Sequence, residues 1–148
     1  GSNIMWTATW ALNGLTECGK ATDWEVHMLG QSVAAFTDAI HGHTLSAVTD
    51  AYYRLLMEKS DEAVSRFKRY AKTVWDVSAE GKDDKAVAIE GLEKMEAWMR
   101  ELGMAMTITE VGAKEEDIEK YADVCPRNTG GYHTLTREEV IEVYRRSL

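Results

Sequence analysis

An all-α fold, a single helical domain of about six to eight helices, is what this sequence predicts, and three observations predict it. Apolar residues recur at spacings of three and four along most of the chain, no alternating strand pattern is convincing, and Pro126 is the one proline in 148 residues. The length fits one domain with a sizeable core and no need of covalent staples.

The first helix is expected from about Ile4 to Leu15, where Trp6, Trp10 and Leu12 supply enough apolar bulk for a buried helix before Gly14 and Gly19 interrupt it. The second is expected to start at Thr22, with Glu25 three residues on completing a capping box. Val26, Leu29, Val33 and Ile40 then form its apolar stripe, while His27, Gln31 and Asp38 share a neighbouring face. His41-Gly42-His43 reads as a bend, followed by a third helix through Leu45, Val48, Tyr52, Leu55 and Leu56. A fourth starts near Ser60-Asp61 and places Val64, Phe67, Ala71, Val74 and Trp75 on its apolar side.

Gly81 to Asp84 is a polar break. Ile89, Leu92, Met95, Met99 and Leu102 then define a fifth helix that stops at Gly103. Met104 to Thr109 is expected to be a short extended connector, and Ala113 to Val124 a sixth helix with acidic residues in its first turn. After a loop over Pro126 to Gly131, a second capping box, Thr136 with Glu139, starts a last helix through Val140, Ile141 and Tyr144 that ends in Arg145 and Arg146.

A formal net charge of −8 disfavours a binder of phosphate backbones, so nucleic acid is not an expected partner. No stretch reaches the roughly 18 apolar residues of a membrane span, so no membrane partner is expected either. Cys18 and Cys125 stand far apart and in no C-x-x-C arrangement, which fits a reducing cytoplasm. The opening Gly1-Ser2 resembles the remnant of a cleaved expression tag, with residues 3–148 as the natural segment of a longer protein.

Signatures of phosphate-binding loops, serine hydrolases and zinc proteases are missing from the chain. What remains is a histidine pair, His27 and His41, bracketing the second helix. Neutral imidazole is a common ligand of divalent metals, and two rings so placed can converge on one point. The alternative is structural: His27 on a polar helix face and His41 donating to a loop carbonyl. Gln31 shares the His27 face as a site-lining or solvated residue, His43 can point elsewhere, and His133 is expected at the surface of a glycine-rich loop. Asp23 reads as a helix-start residue and Asp38 as a solvated helix end.

Longer segments add a resemblance. Asn3-Ile4-Met5-Trp6-Thr7-Ala8-Thr9-Trp10-Ala11-Leu12-Asn13-Gly14, Thr22-Asp23-Trp24-Glu25-Val26-His27-Met28 and Asp38-Ala39-Ile40-His41-Gly42 resemble the C-terminal, dehydroquinate synthase-like helical domain of the iron-containing alcohol dehydrogenases. The likeness extends through Glu101-Leu102-Gly103, Ile108-Thr109-Glu110-Val111-Gly112 and Gly130-Gly131-Tyr132-His133-Thr134-Leu135-Thr136.

That resemblance implies a metal site of one aspartate and three histidines, the last two matched by His27 and His41. The other two ligands and the NAD(P)-binding α/β domain would lie upstream of this chain. It implies Fe2+, with Zn2+ as the alternative, NAD(P)H as cofactor, a small alcohol or aldehyde as substrate, and a homo-oligomeric parent. A histidine found in many members four residues after the first matched ligand is Gln31 here, which argues against a histidine proton relay at that point. Gln31 and His43 are then expected to line the site, no catalytic or cofactor-binding residue is assigned, and the chain alone is expected to be inactive. The rival expectation is a free-standing acidic helical interaction module in which both histidines are structural.

Overall fold

Short polar segments with good capping groups divide the chain into seven α-helices and no strand in the computed structural model, which describes residues 1–148. The helices are α1 (Ser2–Leu12), α2 (Glu25–Thr37), α3 (His41–Lys59), α4 (Asp61–Trp75), α5 (Asp84–Glu101), α6 (Ile118–Val124) and α7 (Arg137–Arg146). Two 3-10 turns, Leu15–Glu17 and Glu115–Asp117, lie in the connections. The all-α expectation holds.

α3 is the central element, packing against α2, α4, α5 and α7. Leu29 and Val33 of α2, Val48, Tyr52 and Leu55 of α3, Leu92 of α5 and Tyr144 of α7 are fully buried in one continuous core. Each such side chain contributes about 1.5–3 kcal/mol by leaving water. α4 and α5 pair closely where Gly91 faces Ala71: a Cβ at Gly91 would stand 2.4 Å from the Ala71 Cβ.

Capping is as expected at two starts. The Ser60 hydroxyl accepts the Ala63 N–H at the head of α4, and Thr136 with Glu139 forms the full capping box of α7. At α2 the expected box does not form. The helix starts at Glu25 with Trp24 in the cap position. Asp23 Oδ1 accepts the Glu25 N–H at 2.8 Å, and the Glu25 side chain turns away to accept the Asn128 N–H at 3.0 Å. A short aspartate loop bond has displaced Thr22, as Asp side chains do at helix entrances.

Other expectations are corrected. The break after α2 falls at Asp38–Ile40, not at Gly42: Asp38 takes a left-handed φ of 53°, and Gly42 lies inside the first turn of α3. Ile40 therefore leaves the α2 stripe and is exposed, as are Val74 and Leu102 near the ends of their own stripes. The sixth helix is shorter than expected, because Lys114 is extended and a 3-10 turn precedes Ile118. α1 forms as a helix but has no buried residue. Its apolar side chains ring the helix, and among the elements it packs mainly against the first 3-10 turn.

Candidate metal centre

The contact between α2 and α3 is set by Gly30. A Cβ there would come within 2.7 Å of Leu45 Cδ2 and 3.1 Å of the Leu45 backbone nitrogen, so hydrogen alone lets the helices approach this closely. His27 lies about one turn before Gly30, and His41 about one turn before Leu45. Helical side chains lean toward the N-terminus of their helix, so both imidazoles are carried to the same end of the contact. Their ring centroids are 4.5 Å apart at an interplanar angle of 77°.

The two rings differ chemically from the other two histidines. His43 Nδ1 accepts the Ala105 N–H at 2.9 Å, and His133 Nε2 lies 2.8 Å from Glu139 Oε2. Neither His27 nor His41 has a protein hydrogen-bond partner, so their nitrogens are free to ligate. Burial, and then the neighbouring His41, push the His27 imidazole below its ordinary value. That favours the neutral ring, the form in which histidine binds metal.

Trp24 forms the wall behind this pair. Its ring stands edge-on to His27, with centroids 5.4 Å apart and planes at 89°. The entrance to α2 is in turn braced by the loop after Pro126. Asp23 accepts from Tyr52 Oη at 2.7 Å and from Asn128 Nδ2 at 3.4 Å. Gly130 lets that loop close, since a Cβ there would lie 2.0 Å from the Thr22 carbonyl oxygen. Glu25 is buried at 2 % exposure, with Oε1 unpartnered. Burial raises its carboxyl to about 6, against the Asn128 N–H that lowers it; Asp23 adds to the rise.

Of the other site residues expected from sequence, Gln31 is exposed one turn beyond His27 on the same side of α2. His43 is not brought to the pair. Two residues along α3 turn it some 200° away from His41, into an open cleft of about 660 Å³ shared with Arg100 and Glu110. Asp38 is an exposed helix end, as expected. His133 is half-buried and tied to the α7 cap instead of lying free on the surface. Trp24 and the Asp23–Asn128 brace were missed by sequence reasoning, for which the glycine pair Gly130-Gly131 was the available signal.

Two imidazoles without protein hydrogen-bond partners meet edge-on, a donor pair of a type that suits a divalent metal, but no group of three or more His, Cys, Asp or Glu side chains in this chain is placed to hold an ion.

The family model for the Fe-containing alcohol dehydrogenase family, C-terminal, matches residues 2–148. The chain belongs to that family. It is 27 % identical over 150 residues to NADH-dependent butanol dehydrogenase A of Clostridium acetobutylicum, covering 99 % of this chain and 38 % of that protein. The crystal structure of the Thermotoga maritima NADH-dependent butanol dehydrogenase A superposes with a TM-score of 0.84 at 28 % identity, over 97 % of this chain and 37 % of that one. The E. coli aldehyde reductase YqhD, in a substrate- and cofactor-free form, gives 0.86 at 27 % identity, over 99 % and 38 %. This member of the family thus spans little more than a third of the length of the relatives it matches.

Proposed function

We propose that residues 3–148 are the C-terminal, metal-binding helical domain of an alcohol dehydrogenase that interconverts alcohols and aldehydes or ketones with NAD(P). The observation that carries this reading is the meeting of His27 and His41 from two helices at 4.5 Å, with free ring nitrogens, in a chain of the iron-containing family. The relatives' own names, a butanol dehydrogenase using NADH and an aldehyde reductase, support the substrate and cofactor class.

His27 and His41 would supply two ligands, with an aspartate and a third histidine, together with the nicotinamide site, contributed by an N-terminal part. Fe2+ is the metal the family name favours, and Zn2+ suits the same donors. When bound, the metal supplies Lewis-acid polarisation of the substrate oxygen during hydride transfer. The residues of this chain hold and orient. Trp24 excludes water from one side of His27, and Gln31 offers an amide that can donate and accept a hydrogen bond but cannot relay a proton as imidazole does. The unpaired Cys18 and Cys125 are in keeping with a reducing cytoplasmic setting.

The test is an assay of the longer protein with short aldehydes and NADH or NADPH. Turnover should fall on chelation and return with Fe2+ or Zn2+. His27→Ala and His41→Ala should each remove both bound metal and turnover, and a variant that keeps both would remove its residue from the assigned role. The 148-residue chain by itself should show no nicotinamide turnover.

A further inference from the structure

A cleft of about 420 Å³ lies between α3, α4 and the loop after Pro126, and its walls are aromatic. Tyr53 comes from α3, Phe67 and Tyr70 from α4, and Tyr132 from the loop. The Tyr53 and Phe67 rings stand 4.8 Å apart with planes tilted by 49°, so they meet at an angle instead of stacking. Tyr132, at 40 % exposure, is the most open of the four. The volume falls within the range of about 300–1,000 Å³ that small-molecule sites occupy.

The field in this cleft is negative. Asp23 lines it, and its carboxylate accepts from Tyr52 Oη, the Glu25 N–H and Asn128 Nδ2. All three donors are neutral, so the carboxylate keeps its charge without a counter-ion. Burial raises the Tyr53 hydroxyl above its ordinary value, and Asp23 and then Tyr70 raise it further, as a negative surrounding does. Arg66 also borders the cleft, but it is exposed and its guanidinium pairs with Glu62 at 3.4 Å.

Ring faces and an uncompensated carboxylate select the same kind of ligand. The face of an aromatic ring attracts a cation held within about 6 Å of its centroid. A primary ammonium is strongly hydrated and would have to shed that water among apolar walls. A quaternary ammonium carries its charge on methyl groups that can rest on the rings directly. Asp23 disfavours an anion, and a neutral ring would leave its charge unanswered.

We propose that this cleft is a binding site for a small quaternary ammonium ion, with its methyl groups against Tyr53, Phe67, Tyr70 and Tyr132 and its charge toward Asp23. The site stands apart from the histidine pair, since Tyr53 follows His41 by twelve residues on α3, roughly 18 Å along the axis. Its occupancy is independent of hydride transfer.

Titration of choline and tetramethylammonium into the isotope-labelled 148-residue chain, at constant ionic strength, tests it by nuclear magnetic resonance. Amide shifts should gather around Tyr53, Phe67, Tyr70 and Tyr132 and should saturate. The neutral isostere of choline, in which a tert-butyl group replaces the trimethylammonium, should bind at least about ten-fold more weakly. Tyr132→Leu should weaken choline binding by about three-fold or more, whereas Tyr132→Phe, which keeps the ring face, should bind as the parent does. Tyr132 is a partly exposed loop residue, so both variants should keep the parent's melting temperature. No saturable shift at these residues would overturn the proposal. So would equal affinity for choline and its neutral isostere, or equal choline binding by the Leu and Phe variants, since apolar contact and not cation recognition would then hold the ligand.

Discussion

Glu139 shows how one side chain can serve several elements at once. Its carboxylate closes the capping box of α7, accepts from Lys59 at the end of α3 at 2.8 Å, and meets His133 at 2.8 Å. Burial pushes its carboxyl up, but hydrogen bonds from Lys59, the Thr136 N–H and His133 outweigh that and bring it from 4.5 to about 2. Because the folded value lies below the unfolded one, the stabilisation is fully present above about pH 4.5 and is lost as the pH falls toward 2. Replacement by Gln should therefore flatten the acid limb of the stability curve, measured by urea melts at stepped pH. An unchanged acid limb would show that the three contacts do not hold in solution. Thr136→Ala removes the other half of the box and should cost about 1 kcal/mol at any pH in that range.

Among the elements, the two glycine-mediated helix contacts make a matched pair of tests. Gly30→Ala places a methyl against Leu45 and should cost about 1–3 kcal/mol. It should also separate His27 from His41 and weaken binding of Co2+ or Zn2+ by the longer protein. Gly91→Ala places a methyl against Ala71, between α4 and α5, and should cost a similar amount with metal binding unchanged. Equal metal affinities in the two variants would mean that the α2–α3 spacing does not set the ligand pair. The helices themselves were legible because their cores repeat at three and four residues, as Val48, Tyr52 and Leu55 do in α3. Their boundaries were less so. Asp38 and Asp76 enter left-handed turns that glycine usually takes, and nothing in the local pattern marks them.

For the whole molecule, the legible part of the site was the part carried by residue type. His27 and His41 could be picked out as possible ligands, and their meeting agrees with the flanking segments that resemble the family. Asn128 and Asp23 could not, because their roles depend on contacts spanning as many as 105 positions in sequence, and Trp24, only three residues from His27, carries no donor that marks it as part of a metal site. The first helix was misjudged for the opposite reason: apolar composition reports a need for burial and not the surface that meets it. At this scale the expected response to metal separates the two lengths of protein. An ion at about one hundred times its dissociation constant should stabilise the longer protein by about 2.7 kcal/mol. The short chain, with only the two imidazoles to offer, should show little shift in melting temperature under the same conditions. A full shift in the short chain would mean that it completes the site by itself.

The close approach at Gly30 has one more consequence. Folding alone sets the two imidazoles against each other, so the entropy of ordering this pair is lost before any ion arrives. An ion completing its coordination with donors from the other part of the protein would then act as a clasp between two bodies. Its escape would require those bodies to part, and metal retention would become a measure of how firmly they are held together.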